Sequence, residues 1–309
     1  MPSPAAALYD AIIVGGGPAG LSAAIVLGRC RRRVLLVDAG RARNRWSEGL
    51  RNYLGHDGID PRELQRLGRA EAERYGVEVL ACEATDAGFE GPANKPDRFW
   101  VLLDDGARPR ARKLLLATGV TDVLPDIPGL AELYGRSVHH CPYCDGYEHR
   151  DERLAAYGPK GNGAGAVGLA LSLRTWTAHV VALTDGHPLS DDDLARATRA
   201  GIRIREEPVA RLEATGGRLT AVTFTHGPAE PCDALFFNTG QTVRSHLAQR
   251  LGCHLNPDGS VTTANNQCTD IPGLYMAGDA DKDVQFAIVA AAEGATAAVS
   301  INRELQDDP

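Results

Sequence analysis

Ala11-Ile-Ile-Val-Gly15-Gly-Gly17-Pro-Ala-Gly20 is a short apolar run that enters a glycine-rich turn. The run predicts a buried strand, Leu21 to Leu27 reads as a helix, and Val34-Leu-Leu-Val37 is a second buried strand that ends at Asp38. Together they form one βαβ unit. Gly15-x-Gly17-x-x-Gly20 has the spacing of a dinucleotide-binding loop. Its first Gly allows the turn, its second lets a pyrophosphate approach backbone N–H groups, and its third lets helix and strand pack closely. Asp38 is placed to accept from ribose hydroxyls. Pro18 and Ala19 in the loop, and Ala39 beside Asp38, complete this candidate cofactor-binding set.

A second unit of the same design is expected further along. Leu154-Ala-Ala-Tyr157 reads as a strand, Gly161-Asn-Gly-Ala-Gly-Ala166 as a Gly-rich turn, and Val167 to Leu173 as a helix. His179 to Leu183 reads as a strand ending near Asp185. Gly15 to Asp38 and Gly161 to Asp185 are similar spacings, so the chain holds two degenerate copies of one nucleotide-binding design. Leu114-Leu-Leu-Ala-Thr-Gly119 and Ala234-Leu-Phe-Phe-Asn-Thr-Gly240 are strands that leave through Gly turns. They bracket the middle section and suggest an inserted domain on a two-stranded linker. Gly273 to Asp279 precedes an Ala-rich helix from about Phe286 to Glu304, expected to pack on the first unit. The fold class is therefore α/β, with two Rossmann-like three-layer domains. A discontinuous first domain (1–118 and 241–309) encloses a second (119–240).

Composition narrows the function. The 309 residues carry a net charge of −7 with no basic block, which argues against a nucleic-acid partner. The most apolar run, Ala11 to Gly28, is broken by three consecutive Gly and Pro18, so no membrane span is expected. No basic segment precedes that run, and the expected location is cytoplasmic. Seven scattered cysteines do not make a disulfide scaffold.

Only Cys141-Pro-Tyr-Cys144 has a meaningful spacing. Two intervening residues allow a small disulfide ring, and a thiolate there can attack a disulfide or donate to a flavin. Half a zinc site with His139 and His140, or an inert pair, are the competing readings. Structural zinc takes four ligands and no second pair exists, so no metal is expected. Asp145 is a candidate acid–base group for the departing thiol, or a turn residue before Gly146. His139 and His140 are candidate proton carriers, or structural histidines.

Gly15-Gly-Gly-Pro-Ala-Gly20, Ala117-Thr118-Gly119, Cys141-x-x-Cys144-Asp145-Gly146 and Ala277-Gly278-Asp279 follow the order seen in low-molecular-weight thioredoxin reductases. Nearly the whole chain resembles that family. The resemblance implies FAD in the outer domain, a pyridine-nucleotide-type domain in the middle, and a homodimer. It also implies that Gly278 and Asp279 hold the flavin's ribityl and phosphate side, with Asn52, Gln285, Phe286 and Ala287 lining the flavin. Ala117, Thr118 and Gly119 belong to the same cofactor-binding set. Cys144 would lie against the flavin and Cys141 would face the substrate.

Two departures bear on direction. NADPH-dependent members carry a His-Arg-Arg cluster after the second unit's last strand, where this chain reads Leu183-Thr-Asp-Gly-His187 with no Arg. Gly158-Pro-Lys160 also separates the strand from its Gly-rich turn. Use of NADH or NADPH is therefore left open. Cys-Pro-Tyr-Cys followed by Asp-Gly-Tyr-Glu resembles the FAD-dependent dithiol oxidase branch, of the gliotoxin, holomycin and romidepsin type. Many members of that branch have His where Asp145 stands. The expected activity is oxidation of a small-molecule dithiol through Cys141–Cys144 and FAD to O2, with Asp145 or His140 moving protons. An NAD(P)H-dependent reductase acting on a thioredoxin-like protein or small disulfide is the alternative. A non-catalytic flavin redox sensor is the third reading.

Overall fold

In chain order the regular elements begin with β1 (Leu8–Val14), α1 (Pro18–Arg29), β2 (Val34–Val37), α2 (Pro61–Arg74) and β3 (Glu78–Leu80). β4 (Ala84–Glu90), β5 (Arg98–Leu103), β6 (Arg110–Leu116) and β7 (Val120–Asp122) follow. The middle of the chain gives β8 (Val138–His139), α3 (Pro142–Asp145), β9 (Leu154–Tyr157), α4 (Ala166–Leu173), β10 (Val180–Leu183), α5 (Asp191–Ala200) and β11 (Arg203–Arg205). Then come β12 (Val209–Thr215), β13 (Arg218–Phe224), β14 (Glu230–Pro231) and β15 (Ala234–Phe237). The chain closes with β16 (Gln241–Val243), α6 (Leu247–Leu251), β17 (Leu274–Met276) and α7 (Ala287–Asp307). The structure is a computed structural model and describes residues 8–90, 98–159, 165–257, 259–264, 266–281 and 285–307. Residues 160–164, which hold most of the second Gly-rich turn, lie outside the described residues.

The chain divides into two compact units. The first comprises Met1–Arg45, Asn52–Thr121 and Thr242–Pro309; the second comprises Trp46–Arg51 and Asp122–Gln241. β7 and β16 pair as a two-stranded ribbon where the chain passes between them.

In the first unit the sheet runs β3-β2-β1-β6-β5-β4, and β17 also pairs with β6. β1, β2, β3, β6 and β17 are parallel, while β4 and β5 are antiparallel. β2 is buried along its whole length, as Val-Leu-Leu-Val demands of a parallel strand covered on both faces. Ile12 and Val14 face one apolar cluster, and Ala11 and Ile13 face the other. Each fully buried Ile or Leu there contributes about 1.5–3 kcal/mol. α1 and α7 share the second cluster through Ala23, Ala24, Ala297 and Ala298, small residues that let helices approach closely. A Cβ at Gly294 of α7 would strike the Ala19 carbonyl.

In the second unit a parallel sheet runs β11-β10-β9-β15-β8. β9, β10 and β15 are buried throughout. Val181 and Leu183 face one cluster, while Ala182 faces the other beside α4. β12, β13 and β14 form a separate antiparallel sheet. β8 ends at His139, so the chain leaves the carboxyl edge of the parallel sheet directly into the cysteine pair. Open α/β sheets bind ligands at that edge.

Candidate active site

In the first unit, β1 feeds the glycine loop and α1 starts at Pro18 with Gly17 as its N-cap. No side chain caps that end, which leaves the helix's first N–H groups directed at the loop's open side. A Cβ at Gly15 would strike the Ala117 carbonyl, and one at Gly20 the Gly15 carbonyl; at Gly17 nothing lies within 4 Å. Two glycines are thus required by close approach, and the third fronts open space. Asp38 is buried at the end of β2, where its Oδ1 accepts from the Gly40 N–H at 3.0 Å and its Oδ2 pairs with Arg69. Arg69 Nε is buried with no partner among the described residues. Ala39 is exposed beside Asp38.

Ala117 is buried after β6, with half-buried Thr118 and Gly119 following. At the other end of the chain, Gly278 has a positive φ of 85° and donates its N–H to Glu293 Oε2 at 2.6 Å. Arg43 Nη1 donates to Asp279 Oδ2 at 2.8 Å and to Gln285 Oε1 at 2.7 Å, joining two residues that the sequence groups only by resemblance. Phe286 and Ala287 lie half-buried at the start of α7. Asn52 is exposed with a left-handed φ of 60°, a conformation Asn tolerates, and its N–H donates to Asp57 Oδ1 at 2.8 Å.

In the second unit, Cys141 and Cys144 form a disulfide. Cys141 is the N-cap of α3, Pro142 takes the first helical position, and Cys141 Sγ accepts from the Cys144 N–H at 3.1 Å. Tyr143, between the two cysteines, and Tyr147, three residues after Cys144, are exposed. Asp145 Oδ2 lies 3.4 Å from Nδ1 of buried His139. Burial pushes the Asp145 carboxyl up, but the His139 hydrogen bond and the charges of His139, His140 and His149 outweigh it and hold it below the usual carboxylate range. His139 Nε2 meets His149 Nε2 at 3.0 Å, and His149 Nδ1 meets Glu152 Oε2 at 2.7 Å. His140 turns elsewhere. Its Nδ1 lies 3.2 Å from Tyr134 Oη, which donates to Asp122 Oδ2 at 2.8 Å. Asp145 thus meets His139 directly, and the charge of His140 also acts on it.

Residues 9–294 match the pyridine nucleotide-disulphide oxidoreductase family. The chain belongs to that family. "Thioredoxin reductase tcpT" of Claviceps purpurea (strain 20.1) is 34% identical over 289 residues, 88% of this chain and 86% of that protein. The crystal structure of HlmI superposes with a TM-score of 0.92 at 36% identity, covering 97% of this chain and 93% of that one. Thioredoxin reductase TrxB from Bacillus anthracis gives 0.89 at 28% identity, covering 97% and 99%. This member of the pyridine nucleotide-disulphide oxidoreductases is thus a thioredoxin reductase-like flavoprotein acting on disulfides, with the family's two-Rossmann fold.

The donor set in the first unit fits FAD. It offers an uncapped helix end over open space for the pyrophosphate, a carboxylate for a ribose, and the orphaned Arg69 Nε beside it. Arg43, Arg69, Glu293, His149 and Glu152 were not legible as site residues of this oxidoreductase. Arg43 stands 236 positions from Asp279, and no local pattern marks it. Among the described residues no cluster of three or more His, Cys, Asp or Glu is arranged for a metal ion, and no helix is long and apolar enough to cross a membrane.

Proposed function

We propose that this oxidoreductase oxidises a small-molecule dithiol to a disulfide through Cys141 and Cys144, with FAD as cofactor and O2 as final acceptor. The observation that carries this reading is how the carboxyl edge of the second unit's sheet is occupied. Asp185 follows β10, where a pyridine-nucleotide domain recognises its ribose. Here its Oδ2 accepts from Tyr157 Oη at 2.6 Å and its Oδ1 from the Val209 N–H at 2.7 Å. The cations on the neighbouring strand are also engaged. Arg203 Nη1 lies 3.1 Å from Glu230 Oε2, and Arg205 Nε lies 3.0 Å from Glu207 Oε2. An NADP 2′-phosphate would have to displace these carboxylates. Electrons then enter from the thiol side.

A substrate thiolate attacks Cys141 Sγ, forming a mixed disulfide, and the electron pair of the broken Cys141–Cys144 bond leaves with Cys144. The second substrate thiol displaces Cys141, releases the cyclic disulfide and leaves both electrons on the cysteine pair. The Cys144 N–H that meets Cys141 Sγ steadies negative charge there. Asp145, ionised at neutral pH, serves as the acid–base group. FAD, when bound at Gly15, Gly17, Pro18, Ala19, Gly20, Asp38 and the Gly278–Asp279 turn, supplies a two-electron acceptor that O2 can reoxidise. The substrate partner is a small dithiol, and the assembly is a homodimer. The reverse direction, NAD(P)H-driven reduction of a thioredoxin-like partner, is favoured by Asp145 and by the names of the thioredoxin reductase relatives.

One experiment separates the two directions. The FAD-loaded protein is mixed anaerobically with dithiothreitol, and separately with NADH or NADPH. Bleaching of the flavin band by the dithiol alone, reversed by air, is expected. Prompt bleaching by micromolar NADPH ends the oxidase reading. Cys144→Ser should retain the yellow cofactor and lose dithiol-driven bleaching; surviving turnover excludes the cysteine route.

A further inference from the structure

Asp145, next in sequence to Cys144, forms with His139, His149 and Glu152 a chain of contacts that ends at the surface. Its contacts are 3.4 Å, 3.0 Å and 2.7 Å. His139 and His149 are buried, and both rings pack on Phe236, at 5.3 and 6.2 Å between centroids. Glu152, by contrast, has 45% of its side chain exposed.

Proton counting constrains this chain. Each of the three contacts brings together two atoms with lone pairs, so each needs one proton between them. Two neutral imidazoles carry only two protons. The chain must hold one more, or leave a bare ring nitrogen facing a carboxylate or the other ring's bare nitrogen. His149 is not its resting place, because burial pushes that imidazole below its ordinary value against the pull of Glu152. The Asp145 carboxyl is held low as well. The spare proton is therefore held at the Asp145–His139 contact.

We propose that His149 and Glu152 are positioning residues of a proton relay, through which solvent sets the charge of the Asp145–His139 pair. The proposal rests on the reading of Cys141–Cys144 as the redox pair with Asp145 as its acid–base group. Outward, His139 passes its Nε2 proton to His149 Nε2, and His149 passes its Nδ1 proton to Glu152. His139 gives up one ring proton, His149 exchanges tautomer, and one proton reaches the surface. The reverse sequence loads the pair from solvent. Inward, the spare proton moves through Asp145 to Cys144 as the Cys141–Cys144 bond breaks. In that step the bond from the attacking thiolate to Cys141 Sγ forms, and the electron pair of the broken bond stays on Cys144. Cys144 returns the proton to Asp145 when the pair gives up two electrons to the FAD of the proposed reaction and the Cys141–Cys144 bond re-forms. The other groups packed around the relay are His140 with Tyr134 and Asp122, and Asp233 with Arg153. His140 and Asp233 act on the relay through their charge.

Glu152→Gln tests this directly. The amide oxygen can still accept from His149 Nδ1–H, but the side chain cannot carry a proton. The holoenzyme is mixed with dithiothreitol and quenched with iodoacetamide at millisecond intervals, and opening of the Cys141–Cys144 disulfide is read by mass spectrometry across pH. Glu152→Gln and His149→Gln should open about tenfold more slowly near neutral pH, a fraction of the 10²–10⁴ range of a full acid–base group. Their rate–pH midpoints should shift, and added imidazole or acetate should restore the Glu152→Gln rate. Wild-type rates and midpoints in both variants would overturn the relay. So would slow opening that neither pH nor buffer alters, since that marks a structural defect. Failure of wild-type protein to open under dithiothreitol would overturn the redox reading itself, before any variant is made.

Discussion

His149 is buried as a neutral ring, and its acid–base behaviour makes stability depend on pH. Burial disfavours the imidazolium in the folded protein, so the unfolded chain takes up that proton more readily. The folded value lies below the ordinary 6.5, so the contribution is complete above pH 6.5 and is lost as pH falls through the folded value. Asp145 has the same sign lower on the scale, with stability present above its ordinary 3.8 and lost as pH falls further. The melting temperature should therefore fall in two stages on acidification, and His149→Gln should flatten the first. An unchanged first stage in that variant would mean another group titrates there. Asp145→Asn should slow disulfide opening by about 10²–10⁴-fold in the quenched-flow assay. The pairing of Cys141 with Cys144 and the place of Asp145 beside them are local, and their spacing alone exposes them. His149 and Glu152 carry no such mark. They reach His139 only because β15, which carries Phe236, lies between β8 and β9 and both histidine rings pack on that side chain.

Elements in this protein meet through small residues. α7 lies against α1 where Gly294 fronts the Ala19 carbonyl, so a larger side chain must push the helices apart. Gly294→Val should cost about 1–3 kcal/mol, read as a lowered urea midpoint with unchanged slope. It should also weaken FAD retention, because α1 carries the glycine loop at its N-terminus. At the end of β10, Asp185 holds the turn with a left-handed φ of 53° and ties it to Tyr157 and Val209. Asp185→Ala should cost about 1–3 kcal/mol by leaving these partners unpaired. Under the oxidase reading, that loss leaves dithiol oxidation intact at temperatures well below melting. The strands and helices at both ends of the chain were legible because buried parallel strands read as continuous Val, Ile and Leu. The commitment of Asp185 was not, since the same residue type at that spacing fits a ribose equally well.

At the scale of the whole molecule, ligand linkage separates the two nucleotide designs. FAD at a thousandfold excess over its dissociation constant should stabilise the apoprotein by about 4 kcal/mol, seen as a raised melting temperature. NADPH at the same concentration should leave the transition unmoved, and a comparable rise would return the second unit to pyridine-nucleotide binding. What the sequence determined by itself was local in the chain: the strand-loop-helix around Gly15, the cysteine pair with Asp145, and the repetition of one design. Short-range chemistry writes these into consecutive residues, because turns, caps and small disulfide rings need particular types at fixed spacing. Only the tertiary structure decided which charges neutralise one another. Arg43 on Asp279 and Gln285, Arg69 on Asp38, Tyr157 on Asp185 and the histidine chain to Glu152 join residues from separate elements. Such pairings depend on which strand ends the sheets bring together, and no periodicity along the chain records that.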